Sequence, residues 1–269
     1  MPGARYTHGH HESVLRSHRW RTAANSAAYL VPLLRPGMDV LDVGCGPGTI
    51  TLELARLTSP GRTIGIDAAD EVIEAARTLG GDASPSPAEF RTGDVMQLAL
   101  PDDSFDLVHA HQVMQHLADP IGALREMARV CKPGGMVAAR DSDYRAMTWY
   151  PDDPDLDAWL VMYRKVASAN GGEPDAGRYL LHWAHQAGMT DVRASASVWC
   201  FATEQDRSWW GDLWADRVLQ SALADRALEL GFATRDQLEA MSSAWRRWAA
   251  DNDGWFAVLH GEIVGIKAE

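Results

Sequence analysis

Three glycines at alternate positions, Gly44, Gly46 and Gly48, are the residues with the clearest chemical meaning in this sequence. They lie in the segment DVGCGPG (42–48), which follows the short apolar run MDVLDV (38–43) and precedes a helix-like stretch. Glycine lets the backbone turn tightly and lets a ligand approach without a Cβ atom in the way. A dinucleotide site has the spacing GxGxxG, whereas the spacing here is GxGxG. The segment predicts a strand, a ligand-binding turn and a helix, without the dinucleotide spacing.

Two acidic residues follow this turn at the ends of the next two predicted strands. Asp67 closes the strand TIGID (63–67), and its carboxylate could accept hydrogen bonds from both hydroxyls of a ribose. Asp94 closes the strand predicted at 88–94 and could accept a hydrogen bond from an adenine amino group. Each acid alone is more often a turn or cap residue. In register with the glycine turn at three successive strand ends, they favour a nucleoside-containing ligand.

Alternating strands and helices must position these residues. Periodicity and turn residues predict strands at 38–43, 63–67, 88–94, 105–109 and 136–141, and helices at 49–57, 70–79 and from Asp119-Pro120 to the Lys132-Pro133-Gly134-Gly135 stop. Such alternation implies right-handed crossovers, a parallel sheet and a ligand at the carboxyl ends of its strands.

The chain changes character after residue 143, because ten of the eleven tryptophans lie at or beyond Trp149. Two further strands are predicted at 191–202 and 254–267, the second as a hairpin through His260-Gly261. Thr234 and Gln237 have the spacing of a capping box at the start of a helix.

We therefore expect an α/β fold: a Rossmann-like, seven-stranded, mostly parallel sheet flanked by helices, with an N-terminal helical lid and a helical cap from the C-terminal half. The expected organisation is a single domain. It comprises a lid (1–35), a cofactor-binding core (36–143) and the remaining strands with cap insertions (144–269, insertions at about 144–190 and 203–251).

The core motifs resemble those of class I S-adenosylmethionine-dependent methyltransferases, in particular the small-molecule branch similar to quinone C-methyltransferases. The resemblance covers about 100 residues and rests on VLDVGCGPG (40–48), GID (65–67), GDVMQLALPDDSFDLV (93–108), QHLADP (115–120) and LREMARVCKPGG (124–135). It implies that the glycines hold the methionine part of S-adenosylmethionine, that Asp67 holds the ribose, and that Asp94 and Val95 bind the adenine. The segment His111-Gln112 would pass beside the sulfonium. The cofactor contacts expected from the sequence are Gly44, Cys45, Gly46, Gly48, Asp67, Ala68, Asp94, Val95, His111 and Arg21.

Methyl transfer needs mainly alignment, and a base matters only if the nucleophile must lose a proton. His116 follows the fourth strand, at the start of the next predicted helix, and Asp141 and Asp143 end the fifth, so a histidine held by a carboxylate is one candidate base. The alternative is that His116 packs or caps its helix and that both aspartates are ordinary loop residues.

The N-terminal segment supplies other candidates. Tyr6 and His10 could close over the substrate as a lid, and together with His111 and His116 they complete the set of catalytic candidates. Arg19 or Arg21 could pair with the cofactor's carboxylate, or both could lie on a solvated basic helix face. The run HGHH (8–11) lacks the carboxylate pattern of a metal site, and Asp141-x-Asp143 matches a metal-dependent O-methyltransferase only in part. No metal is expected.

Composition restricts the class of protein and of partner. The 269 residues carry a net charge of −12, the wrong sign for binding nucleic acid or an anionic membrane. No stretch approaches the roughly 20 apolar residues of a membrane span, and three scattered cysteines argue against a disulfide framework. These features predict a cytoplasmic protein with a small-molecule partner, and they leave a homodimer open.

A second resemblance concerns the acceptor. The segment YTHGHHESVLRSHRWRTAANSAAYL (6–30) is similar to that of actinomycete enzymes that include indole C3-methyltransferases acting on tryptophan-containing cyclodipeptides. We therefore expect C-methylation of indole C3 in a tryptophan-derived compound, which gives a pyrroloindoline. The alternatives are an O-methyltransferase or quinone C-methyltransferase of natural product biosynthesis, and a non-catalytic S-adenosylmethionine-binding module. One or two of Trp209, Trp210 and Trp214 are expected to face an aromatic pocket, with the rest in the core.

Overall fold

The computed structural model describes residue 7, residues 17–81 and residues 88–268. A mixed sheet forms the centre of this part of the chain. Its strands are β1 (Val40–Val43), β2 (Thr63–Asp67), β3 (Glu89–Thr92), β4 (Phe105–His111), β5 (Cys131–Ser142), β6 (Thr148–Tyr150), β7 (Thr190–Phe201) and β8 (Trp255–Ile266).

The strand order is β3-β2-β1-β4-β5-β8-β6, and β7 also pairs with β8. Strands β1 to β5 are parallel, whereas β8 runs antiparallel to β5, β6 and β7. The reversal of strand order beside β1 brings the carboxyl ends of β1, β2 and β4 to one edge, where open α/β sheets bind ligands. The Rossmann-like fold expected from the sequence is confirmed.

Nine α-helices are assigned in the described residues, and capping residues mark the start of several of them. They are α1 (Ala23–Ser26), α2 (Thr49–Thr58), α3 (Asp70–Gly80), α4 (Pro120–Val130), α5 (Pro154–Ala169), α6 (Leu180–Gln186), α7 (Glu204–Gln220), α8 (Ala222–Glu229) and α9 (Arg235–Ala250), and residues 17–19 are also helical. Asp119 accepts a hydrogen bond from Gly122 N–H before α4, and Thr234 with Gln237 forms the expected capping box before α9.

Two hydrophobic clusters hold most of the described core. One packs the central strands against α4 and α6. The other joins α5 to α7, α8 and α9 and is rich in tryptophan, with Trp159 in edge contact with Trp214 and Trp245 at centroid distances of 4.6 and 4.8 Å. The tryptophan-rich half of the chain therefore has its own core.

Three sequence expectations about strands are corrected. Residues 254–267 do not form a hairpin, because β8 runs unbroken through His260 and Gly261. A Cβ atom on Gly261 would lie 1.9 Å from the carbonyl oxygen of Gly177, so this glycine permits close backbone packing rather than a turn. Strand β5 begins at Cys131 rather than at 136. The described residues also contain an eighth strand, the three-residue β6, whose length is too short for a periodic signal.

Candidate active site

A cavity of about 450 Å³ opens at the carboxyl ends of β1, β2 and β4. Its volume lies within the roughly 300–1,000 Å³ that is usual for small-molecule sites. The glycine turn and aromatic side chains from β7 and α7 both line the cavity. The lining includes Gly44, Cys45, Gly46, Asp67, Ala68, Arg21, His111, Gln112, His116, Trp20, Trp199, Trp209, Trp210 and Trp214.

The three glycines serve different purposes, although all have positive φ (67°, 55° and 84°). A Cβ atom on Gly44 would lie 2.3 Å from Val113 Cγ2, and one on Gly48 would lie 2.7 Å from Phe90 Cζ. Both positions therefore need glycine for packing within the protein. A Cβ atom on Gly46 would meet only His18 Nδ1, at 3.7 Å, so its missing side chain leaves space in the cavity.

Asp67 fixes the glycine turn from the neighbouring strand. Its Oδ2 accepts a hydrogen bond from Gly46 N–H (3.0 Å) and its Oδ1 accepts one from Ala69 N–H (3.2 Å). Asp94 lies outside the cavity lining and accepts a hydrogen bond from Met96 N–H (2.9 Å). Val95 and Gly48 also lie outside the lining. The adenine contacts expected of Asp94 and Val95 stay predictions.

The N-terminal part of the described chain covers the glycine turn. Ser17, His18, Trp20 and Arg21 all line the cavity. The hydroxyl of Thr49, at the start of α2, donates to the His18 carbonyl (3.4 Å). Two other expected lid residues, Tyr6 and His10, lie outside the described residues, as does the histidine run 8–11.

Aromatic rings form a large part of the cavity wall. Trp20 lies against Trp199 and Trp209 with centroid distances of 5.2 and 5.3 Å, and Trp209 is 5.9 Å from Trp210. Trp209, Trp210 and Trp214 all line the cavity, so the expectation that only one or two of them would face it is corrected. Trp210 and Trp214 are nevertheless buried, because the same rings contact the core behind them.

His111, at the end of β4, lies in the cavity wall beside Trp199 and His260, with ring centroids 5.7 and 6.2 Å away. Neither of its ring nitrogens has a hydrogen-bond partner in the part of the chain that the structure describes. Burial, with the nearby guanidinium groups of Arg21 and Arg140, holds the pKa of His111 well below its usual value. Its imidazole is therefore neutral at physiological pH.

His116 lies in the 3₁₀ turn Met114–His116 rather than at the start of a helix, because α4 begins four residues later. Its Nε2 is 3.1 Å from Gln115 Nε2, and burial lowers the pKa of His116 to about 3. The two candidate carboxylates have other partners. Asp141 accepts a hydrogen bond from Gln115 N–H, and Asp143 forms an ion pair with Arg178. Of the two interpretations that the sequence left open, the pairing of His116 with one of these carboxylates is therefore wrong, and the low pKa makes His116 a weak base.

His260 received no role in the site from the sequence, which placed Gln112 beside the ligand only as part of the segment His111-Gln112. Gln112 follows β4 and bridges Arg21 to His260, which lies in the last strand. The three residues are separated by 91 and 148 positions, so no local spacing could have indicated the contact. The one available signal was the position of Gln112 beside His111 at a strand end.

No group of three or more metal-ligating side chains occurs among the residues with described positions. Within the same residues, no helix is long and apolar enough to cross a membrane. Cys45, Cys131 and Cys200 are all free.

Comparison with known proteins decides the family. Residues 34–209 match the family described as a methyltransferase domain. The chain is 35% identical over 274 residues to an uncharacterized methyltransferase of Schizosaccharomyces pombe, with 98% of this chain and 97% of the relative covered. This chain belongs to the methyltransferase family. It is an enzyme of the class that uses S-adenosylmethionine as methyl donor.

Solved structures agree on the fold. The YcgJ protein from Bacillus subtilis has a TM-score of 0.58 at 24% identity and covers 90% of this chain and 97% of its own. The phosphoethanolamine N-methyltransferase 2 of Haemonchus contortus, solved with phosphomonomethylethanolamine and S-adenosylhomocysteine, has a TM-score of 0.54 at 16% identity. The match covers 88% of this chain and 50% of that chain.

The residues present fit this cofactor. Gly46 leaves open space beside Asp67, whose carboxylate lies at the edge of the cavity. Arg21 brings a guanidinium group to the same cavity, which suits a carboxylate ligand. The donor set therefore offers groups for both the nucleoside and the amino-acid part of S-adenosylmethionine.

Proposed function

We propose that this methyltransferase transfers the methyl group of S-adenosylmethionine to a small aromatic metabolite, specifically to C3 of an indole in a tryptophan-derived compound such as a cyclodipeptide. The observation that carries the proposal is the composition of the cavity wall. Five tryptophans line it, and two of the three histidines in the lining, His111 and His116, have pKa values lowered by burial. Such a site suits an apolar acceptor that is nucleophilic without losing a proton first.

Different residues would contact the amino-acid part, the ribose and the adenine of the cofactor. Gly44, Cys45 and Gly46 would lie beside the amino-acid part, with Arg21 at its carboxylate and His111 near the sulfur. Asp67 and Ala68 would hold the ribose. Gly48 would act indirectly, through its packing against Phe90, and Asp94 with Val95 would contact the adenine. When bound, the cofactor supplies an electrophilic methyl group on a positively charged sulfur.

The protein's own contribution is orientation in a water-poor cavity. The indole C3 carbon attacks the methyl carbon, the carbon–sulfur bond breaks, and the sulfur keeps the electron pair. The acceptor is left with a positive charge at C2 as an iminium, which the ring of Trp209 in the cavity wall would stabilise. A neighbouring amide nitrogen of the substrate then closes onto C2 and loses its proton. His111, His116 or one of the lid residues Tyr6 and His10 would accept that proton.

The lowered pKa values of two histidines in the wall, His111 and His116, favour this reaction over the alternatives. O-methylation, or C-methylation of a quinol, requires a base before or during transfer. A histidine with a pKa of about 3, as at His116, gives little help in ionising a hydroxyl group. Indole C3 needs no such step. A cytoplasmic location, the natural-product role and a homodimeric state stay predictions from the sequence.

The test is product analysis. The enzyme is incubated with S-adenosylmethionine and, in separate reactions, with tryptophan-containing cyclodipeptides, phenols and quinols, followed by mass spectrometry and NMR. We expect a methyl group on indole C3 and a pyrroloindoline product. Methylation only on oxygen, or on a quinol, would reject the indole assignment. Cofactor binding without turnover of any acceptor would favour a binding module.

A further inference from the structure

A chain of three hydrogen bonds runs from the N-terminal segment, across the cavity edge, to the last strand. An Nη atom of Arg21 donates to Gln112 Oε1 (2.6 Å). Gln112 Nε2 lies 2.9 Å from His260 Nε2, and His260 Nδ1 lies 3.0 Å from the carbonyl oxygen of Val258. Sequence separations of 91 and 148 residues make this a purely tertiary arrangement.

The donor and acceptor groups fix the direction of each of these three hydrogen bonds. A guanidinium group only donates, so the oxygen of the Gln112 amide must face Arg21 and its NH₂ group must face His260. A backbone carbonyl only accepts, so His260 carries its hydrogen on Nδ1 and accepts at Nε2. His260 is neutral because burial and the charges of Arg140 and Arg21 lower its pKa. His111 also faces it and is neutral as well.

The backbone at Gln112 is held in an uncommon conformation. Its φ is +55°, a region that residues other than glycine rarely occupy and that favours asparagine and aspartate. The Gln112 N–H donates to the carbonyl of Arg140 (2.7 Å), which anchors the residue to β5. Unusual backbone of this kind persists where the surrounding structure over-determines it, and such positions cluster at functional sites.

We propose that Gln112, supported by His260, is a positioning residue that holds the Arg21 guanidinium group in place for the cofactor's carboxylate. This inference rests on the proposed cofactor contacts. Arginine has a long, flexible side chain, and a fixed acceptor removes much of the entropy that binding would otherwise have to overcome. The Trp199 ring also packs against this guanidinium group, with its centroid 5.8 Å from the central carbon, and limits its movement.

The experiment compares two unreactive ligands that differ in the amino-acid part. S-adenosylhomocysteine carries the carboxylate, whereas 5′-methylthioadenosine lacks the whole amino-acid moiety. Their dissociation constants are measured by calorimetry for the wild type, for Gln112→Asn and for the control Gln205→Asn, an exposed glutamine of α7. Asparagine tolerates positive φ but is one methylene shorter, so the variant keeps the backbone and cannot span Arg21 and His260.

We expect Gln112→Asn to weaken the binding of S-adenosylhomocysteine by about tenfold, which is the usual effect of losing one charge-assisted hydrogen bond. The affinity for 5′-methylthioadenosine should not change. Gln205→Asn should change neither. Equal losses for both ligands, or unchanged binding of both, would overturn the positioning role. If the wild type bound neither ligand, the cofactor assignment itself would fail, which is a different result.

A second variant, Gln112→Glu, tests the direction of the bonds. It has the length of glutamine and can still accept from Arg21, but its other oxygen would face a histidine nitrogen that is itself an acceptor. Affinity for S-adenosylhomocysteine should therefore fall at neutral pH. It should recover at lower pH, when a proton binds between the introduced carboxylate and His260. The positive charges of Arg140 and Arg21 disfavour this proton and shift the recovery to lower pH. Gln112→Asn should show no such recovery. A pH-independent Gln112→Glu variant with wild-type affinity would contradict the assigned tautomer.

Discussion

Replacing Gly46 by alanine should separate the cost of backbone strain from the loss of ligand space. The φ of Gly46 is 55°, and alanine in this left-handed region costs about 1–2 kcal/mol of stability. The added methyl group meets only His18 Nδ1, at 3.7 Å, so no clash inside the protein adds to that cost. The melting temperature should fall by about 2–4 °C for each kcal/mol lost.

The same methyl group would occupy cavity space next to Asp67, where we place the cofactor. Overpacking of one methyl group costs about 1–3 kcal/mol, which corresponds to about a 5- to 150-fold weaker dissociation constant for S-adenosylhomocysteine. Gly134→Ala is the matched control. Gly134 has φ of 73°, nothing within 4 Å of an added Cβ atom, and a position at the start of β5, outside the cavity lining.

Thermal unfolding and calorimetric titration of the two variants give the comparison. Both should lose similar stability, because both place alanine at positive φ, and only Gly46→Ala should lose cofactor affinity. Equal affinities in the two variants would refute the reasoning, since the glycine turn would then be a structural feature and not a cofactor contact.

Three further predictions concern buried ionisable groups. Because burial lowers the pKa of His116 to about 3, the rate of methyl transfer by the wild type and by His116→Gln should show the same pH profile between about pH 6 and pH 8; an inflection lost only in the variant would contradict this. Glu262 forms a buried ion pair with Arg140, so Glu262→Ala should lower the free energy of unfolding by about 3–5 kcal/mol in urea titrations, and a loss below about 1 kcal/mol would exclude an uncompensated buried charge. Burial raises the pKa of Asp141 to about 7, so the folded state holds a proton that the unfolded chain releases near its ordinary value of 3.8. The contribution of Asp141 to the free energy of unfolding therefore falls as pH rises from about 4 to about 7. Over this range the stability of Asp141→Asn relative to the wild type should increase. A stability difference that does not change with pH would show that Asp141 is ionised in the folded protein.

The sequence predicted the features whose signal is local. The GxGxG spacing after an apolar strand placed the turn correctly, and Asp119-Pro120 and the Thr234–Gln237 capping box marked helix starts that the structure confirms. These signals depend on residues within a few positions of one another, so the chain order alone carries them.

Features that depend on burial or long-range contact were missed or misjudged. His260-Gly261 has the composition of a turn, yet the close approach of Gly177 explains the glycine. The sequence offered Asp143 as one partner for His116. Asp143 instead pairs with Arg178, which is 35 residues away, and local spacing could not indicate that contact. The link from Arg21 through Gln112 to His260 joins three distant segments, and only the assembled sheet brings them together.

The central claim is that the cofactor binds beside Gly46 and Asp67 with its sulfur directed at the tryptophan-lined wall. A crystal structure with S-adenosylhomocysteine tests it most directly. We predict the ribose hydroxyls on the Asp67 carboxylate, the homocysteine carboxylate on Arg21, and the thioether facing the space between His111 and Trp209. A ligand bound elsewhere, or bound here with its sulfur directed away from the aromatic wall, would contradict the account.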